Sequence, residues 1–380
     1  MNRSLVIDLL KIAAAQAIVW HHWSVYGPMA QAMHQAWPIG ADQFLEISRL
    51  AVQVFLVMGG FLAGQAIRLD TPTPAPEQVR HWITRRYLRL MPPYLIALLL
   101  ITALAWMCRD HLSGDWLVAP PTWSAALAHV LTLQNLFGLP ALSVGVWYVA
   151  IDFQLYVLLI LLLAAARSPR KLSGWVLGLS AASMLCFNLH SQLDNWVLYF
   201  FGAYGLGLMA AWSLRSLHDA RLFVLALVTA LLALWLEPRI RLETALITAV
   251  VLSSTVQWRT PVNAWGQWMR HLADSSFGVF LTHYGVLILV STVWEIFGWQ
   301  GLGHALGIAV LACLLSVGAG LAFFRWVEQP LSTWLQTWQE QRRVNAMRLR
   351  ATVHSAMHTM PTHTPWPPST HTPQTSPRLR

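Results

Sequence analysis

Leu5–Tyr26 reads LVIDLLKIAAAQAIVWHHWSVY, a stretch apolar enough to cross a bilayer that still carries Asp8, Lys11 and His22. A hydrocarbon core about 30 Å thick takes roughly 20 residues of helix. At about 100° per residue, the steps from Lys11 to His22 make roughly three turns plus 20°, so both side chains share one stripe. They lie roughly 16 Å apart along the axis. Asp8 falls near the same stripe, three residues before Lys11. Ionisable groups are costly inside a span and face a bundle interior or a polar cavity. This segment is therefore one wall of a polar interior, and the chain is a bundle of such helices.

Composition carries that reading to the whole chain. Hydrophobic residues make up 56% of the 380 and charged residues 11%, with 21 Trp and a mean hydropathy of +0.50. A soluble domain carries about a quarter charged residues, so the expected fold is all-α, a polytopic membrane protein of about ten transmembrane helices. The net charge of +9 does not point to nucleic acid, because the basic residues are scattered among short loops between apolar spans. Cys108, Cys186 and Cys313 are too few and too far apart for a disulfide framework or a zinc site. Asp8 and Lys11 interrupt what would be the apolar region of a cleavable signal peptide, so the first span is expected to stay.

The spans read as roughly 5–25, 46–67, 88–107, 146–166, 173–190, 196–213, 220–236, 242–258, 276–297 and 302–326. With the N-terminus cytoplasmic, the segments placed inside hold 20 Lys and Arg. Those placed outside hold three: Arg109, Arg239 and Arg241. That bias puts both termini in the cytoplasm. Trp23, Trp147, Trp175, Trp196, Trp212, Trp235 and Trp258 fall near span ends and read as an interfacial belt. The connection 108–145 is the longest external segment, with a short helix expected at Thr122–Leu136. Residues 1–338 form the membrane domain. Residues 339–380 form a basic, Pro/Thr/His-rich cytoplasmic tail, expected to be disordered, whose irregularly spaced histidines are not a metal site.

Four further groups could carry chemistry. Arg85 and Arg89 are four residues apart on one helical face at the inner surface, with Arg86 beside them. Such a cluster grips donor phosphates or, alternatively, marks topology and anionic lipid. Asp152, below the start of span four, either orients His22 or pairs with Arg49. His283, counted into the inner half of span nine, is a donor-site candidate or a helix–helix hydrogen bond. Arg325 and Glu328 read as a helix-end ion pair ahead of Pro330. No P-loop, G-x-S-x-G, H-E-x-x-H or dinucleotide fingerprint occurs.

Taken in order, these segments resemble the acyltransferase-3 family of bacterial membrane acyltransferases. Asp8-Leu9-Leu10-Lys11 with His22 is similar to its opening D-x-L-(R/K) and following His. Phe55 through Phe61 resembles F-(F/L)-x-x-S-G-F, with Gly59 where Ser is usual. Arg85 through Pro92 is similar to R-R-x-x-R-(I/L)-x-P. Trp147 through Tyr156 is similar to W-S-L-S-V-E-E-Q-F-Y, with Asp152 and Phe153 in place of the two Glu. Ser276 through His283 and Glu328-Gln329-Pro330 resemble its closing motifs.

The resemblance implies transfer of an acyl group, commonly acetyl, from acyl-CoA in the cytoplasm. The implied acceptor is a hydroxyl of a cell-envelope polysaccharide or lipid-linked saccharide. It implies a bacterial inner-membrane location, membrane lipid as surroundings and an envelope-biosynthesis partner protein, with no metal and no nucleic acid. His22, Lys11 and Asp152 are then the expected catalytic residues. Arg85, Arg86, Arg89 and His283 are the expected donor-binding residues. A transporter of a glycan intermediate or small anion, and a catalytically degenerate subunit of an envelope complex, remain the alternatives.

Overall fold

The computed structural model describes residues 3–67, 74–112 and 116–341. The tail beyond Gln341, expected to be disordered, lies outside the described residues. Fourteen α-helices follow in chain order among the described residues: α1 (Leu5–Val25), α2 (Pro28–Ala36), α3 (Pro38–Ser48), α4 (Ala51–Ala66), α5 (Pro76–Cys108), α6 (Trp123–Val130) and α7 (Trp147–Ala166). The second half adds α8 (Pro169–Leu185), α9 (Val197–Ser213), α10 (Leu217–Leu236), α11 (Ile240–Thr255), α12 (Ala264–Asp274), α13 (Ser276–Phe297) and α14 (Leu302–Phe323). Among the described residues there is no strand, only an isolated bridge between Ser4 and Arg259. All fourteen helices lie in one compact unit, Met1–Ser332.

Among the described residues, eight helical segments are long and apolar enough to cross a membrane: α1, the joined α3–α4, α5, α7, α8, α10, α13, and α14 with its continuation. The chain is an all-α polytopic membrane protein. Two of the ten expected spans fall on shorter helices, α9 with 17 residues and α11 with 16. Packing explains α9. Every residue from Tyr199 to Trp212 is buried, under α4, α8, α10 and α11. By contrast α10 turns Val224, Val228, Leu231 and Trp235 outward, as a lipid-facing helix must.

The most extensive helix–helix contact is α4 against α9. Lipid tails are as apolar as Leu, so small residues that let backbones touch drive such pairs. A Cβ on Gly60 would run into the Tyr204 carbonyl, and one on Gly207 into the Val57 carbonyl. Neither obstacle is a flexible side chain. Gly207→Ala is expected to lower stability by about 3 kcal/mol, read as an earlier unfolding midpoint in detergent. An unchanged midpoint would show that the two helices are free to separate.

Segment 108–145 departs from a plain external loop. Thr122 caps α6 by accepting from the Ala125 amide at 3.2 Å, which places the expected short helix at Trp123–Val130. Beyond it the chain packs back onto the bundle. Tyr87 of α5 donates to the Val130 carbonyl at 2.7 Å, and Gln154 of α7 donates to the Thr132 carbonyl at 2.6 Å. His129, Thr132 and Gln134 are buried. Buried backbone carbonyls need partners, and these two side chains supply them. The segment ends at Gly145, whose φ of +74° suits glycine.

The tryptophans divide. Trp175, Trp196, Trp235 and Trp258 are exposed, as a belt requires, whereas Trp23 and Trp212 are buried.

Candidate active site

The start of α1 is held by polar contacts from distant parts of the chain. The Leu5 amide donates to the Trp258 carbonyl at 2.8 Å, and Thr260 donates through its hydroxyl to Asp8 at 2.8 Å. Arg3 donates to Asp8 at 2.6 Å and to both oxygens of Asp274 at 2.7 and 2.8 Å. Both carboxylates are thus engaged by one guanidinium. Lys11, one turn further along α1, forms no ion pair with any described residue. Its electrostatic neighbours are Arg3, Asp274, Asp8 and Arg89. The half-buried ammonium and the exposed Arg89 therefore sit in a patch with cationic capacity to spare, which suits phosphate. Glu328 lies at this end too, within electrostatic range of Arg89. It does not pair with Arg325 as expected, because the turn Phe324–Glu328 widens to a π-helix and turns the carboxyl inward beside Gly278.

Toward the other end of α1, His22 meets His283 of α13. His22 Nδ1 lies 2.7 Å from His283 Nε2, and the rings stack with centroids 4.9 Å apart. His283 Nδ1 lies 2.7 Å from the Phe280 carbonyl, which can only accept. His283 Nδ1 therefore carries a proton, and in the neutral ring Nε2 carries the lone pair. That lone pair must receive the proton of His22 Nδ1. His22 Nε2 is left as an unprotonated acceptor with no partner among the described residues. Gly145 packs directly on this ring: a Cβ there would stand 3.0 Å from His22 Cε1.

This arrangement corrects the depth read for His283. Counting from span ends assumes that equal numbers of residues on two helices reach equal depth. Arg3 touches Asp274 and His22 touches His283, although more than twice as many residues separate the first members of those pairs as the second. The expected donor-site residue is beside His22 instead.

Asp152 is also not where either expectation placed it. Its carboxylate accepts from Arg86 at 2.6 Å, while Arg49 pairs with Glu46 at 3.1 Å. The Arg86 guanidinium further lies over the Tyr156 ring at 5.3 Å. So the partner on His22 Nδ1 is a second imidazole, and Arg86 is bound within the bundle instead of being free with Arg85 and Arg89. Gly59 makes room for the pair, since a Cβ there would come 3.0 Å from Asp152 Oδ1. Phe153 packs edge-on against Tyr87 at 5.6 Å.

His22 lines a cavity of about 430 Å³, within the range of small-molecule sites. Its wall includes Trp147, Tyr148, Phe200 and Phe280, with Gln53, Asn135, Arg49 and Arg241 among the polar groups. The chemical picture is an unprotonated imidazole nitrogen in a half-open chamber, on the same helix as a cationic patch.

Residues 5–325 match the family model Acyl_transf_3, the acyltransferase domain. The chain belongs to the acyltransferase-3 family. This acyltransferase-3 chain is also 30% identical over 175 residues to the regulator of hypoxia-inducible factor 1 of Caenorhabditis elegans. That alignment covers 41% of the chain and 34% of the relative, so the chain spans about a third of that protein's length. No solved structure matches. Among the described residues no three or more His, Cys, Asp or Glu side chains cluster as a metal site would need.

Some cavity residues were not among the expected site residues. Trp147 reads as a belt anchor, yet it stacks on Phe200 at 5.5 Å and lines the cavity. Its place at the head of the aromatic run Trp147-Tyr148 was the available signal. Gln53 and Arg241 carry none, because lone polar residues at helix starts are common.

Proposed function

We propose that the protein transfers an acyl group, acetyl from acetyl-CoA, to a hydroxyl of a cell-envelope polysaccharide or lipid-linked saccharide. The observation that carries this reading is the His22–His283 pair in the wall of the cavity. Family membership supports the reaction class, and the imidazole pair supports the chemistry.

His22 Nε2 accepts the proton of the acceptor hydroxyl as the oxygen attacks the thioester carbonyl. The new C–O bond forms, the C–S bond breaks, and the departing coenzyme thiolate takes the proton from His22. The imidazolium formed between these steps shares its Nδ1 proton with His283, which spreads the transient charge and fixes the ring. Lys11, Arg85 and Arg89 draw the anionic donor by charge. Arg86 and Asp152 hold α5 to α7.

The test is purified protein in detergent with radiolabelled acetyl-CoA and an envelope saccharide fraction. The expected result is label in an alkali-labile ester with matching release of free coenzyme thiol. Movement of label only across sealed vesicles, with no ester formed, would assign a carrier instead.

Lys11→Met is expected to raise the KM for acetyl-CoA by about tenfold or more, the loss of one charge-assisted contact, in a kinetic titration of donor. An unchanged KM with reduced kcat would place Lys11 at the reacting carbonyl.

A further inference from the structure

The cavity that holds His22 is built with more positive charge than a neutral acceptor uses. Arg241 lies in the first turn of α11, where the positive end of the helix dipole disfavours a cation and favours an anion. It makes one long hydrogen bond, to the Tyr199 hydroxyl at 3.3 Å, and pairs with no carboxylate among the described residues. A guanidinium has five donors.

Its neighbour Arg239 shows the contrast. That side chain is tied to Asn188 at 2.9 Å and to the Met184 carbonyl at 2.8 Å. Arg109 similarly donates to the Val118 carbonyl at 2.9 Å. These three are the basic residues that the charge bias leaves on the outer face, where Lys and Arg are disfavoured. Two of them serve as structural ties, and Arg241 faces the cavity.

Two further groups in the lining want ligands. Gln53 is 8% exposed, and its carboxamide bonds to no described residue. Arg49 has a buried Nε without a partner, though its Nη1 meets Glu46. Asp194, exposed, is the one carboxylate in the lining, and Glu46 already pairs with Arg49, which leaves Arg241 as the lining cation with no carboxylate bonded to it among the described residues. Opposite in chemistry is the stacked pair Trp147 and Phe200, whose negative faces suit the C–H groups of a pyranose ring.

We propose that this cavity binds the acceptor as an acidic saccharide, with the sugar ring against the aromatic wall and its carboxylate or phosphate on Arg241. Arg49 supplies the second cation, and Gln53 takes a hydroxyl. This rests on the reading of the cavity as the acceptor site, but it is tested by binding alone.

Purified protein in detergent, without acetyl-CoA, is titrated with three probes while the unfolding temperature is followed. The probes are a glucuronate-bearing disaccharide, a phosphorylated disaccharide and the matching neutral glucose disaccharide. At least one acidic probe is expected to bind about tenfold or more tighter than the neutral one, and the better of the two identifies the anion. Arg241→Met removes that preference, and Arg241→Lys keeps part of it. Should Arg241→Met not fold, Arg49→Met supplies the same comparison. Equal binding of neutral and acidic probes, no binding of either acidic probe, or wild-type preference in a folded methionine variant would each overturn the proposal. Acidic-probe binding without any acyl transfer would leave it standing and remove the enzymatic reading instead.

Discussion

His22→Ala, folded and inserted, loses acyl transfer by about 10²–10⁴-fold, the usual contribution of a positioned general base. The loss falls on kcat, because the imidazole acts on the hydroxyl proton in the transition state and adds little to holding the sugar beforehand. Fold retention is checked by the unfolding midpoint. His283 provides the sharper discrimination. His283→Ala leaves His22 Nδ1 without its acceptor, so the ring samples the tautomer with Nε2 protonated, which cannot accept a proton. His283→Gln offers a side-chain carbonyl to the same Nδ1–H and is expected to recover part of the rate. It is also expected to shift the pH profile, since the amide cannot share a proton as imidazole does. A purely structural His283 would give equal rates for the two variants with an unmoved profile. Near-normal turnover of a folded His22→Ala would remove His22 from the reaction altogether.

Most of the fold was legible because membrane spans announce themselves by length and apolarity. The ten spans read from hydropathy coincide with ten helices. What was not legible is how those helices sit against one another. Counting residues along one span does not fix which residues of its neighbour lie beside them, and the rings of His22 and His283 touch although the count separates them. Asp152 illustrates a second limit. Sequence shows a carboxylate inside a span and offers His22 or Arg49 at similar depth as its partner, but the cation that meets it is Arg86, carried in by α5. Trp147 illustrates a third. Both an interfacial belt and a cavity wall accept Trp, and the sequence does not separate them, whereas the structure stacks Trp147 on Phe200 in the cavity lining. The polar stripe of α1 was readable for the opposite reason. An ionisable residue in an otherwise apolar helix carries its own signal, whatever the neighbouring helices do.

Asp152→Leu is expected to destabilise the protein by about 3–5 kcal/mol, the cost of leaving one member of a buried ion pair alone. The argument turns on what becomes of Arg86. Its guanidinium donates to Asp152 at 2.6 Å and rests over Tyr156. It also has a buried Nε with no partner. Removing the carboxylate leaves a cation on a helix that packs against α7, with no other carboxylate bonded to it among the described residues. Replacing both partners by apolar groups of similar size is much less costly, since the desolvation of both charges disappears together. Arg86→Met/Asp152→Leu should therefore be more stable than Asp152→Leu alone, a reversal visible in unfolding midpoints in detergent. The same series separates the structural role of Arg86 from donor binding. If Arg86 only ties α5 to α7, the double variant keeps the wild-type KM for acetyl-CoA. A KM that rises with every loss of Arg86, whatever stands at 152, would mean that the guanidinium reaches the donor through the pair, and Arg86 would then rejoin Arg85 and Arg89 in that site.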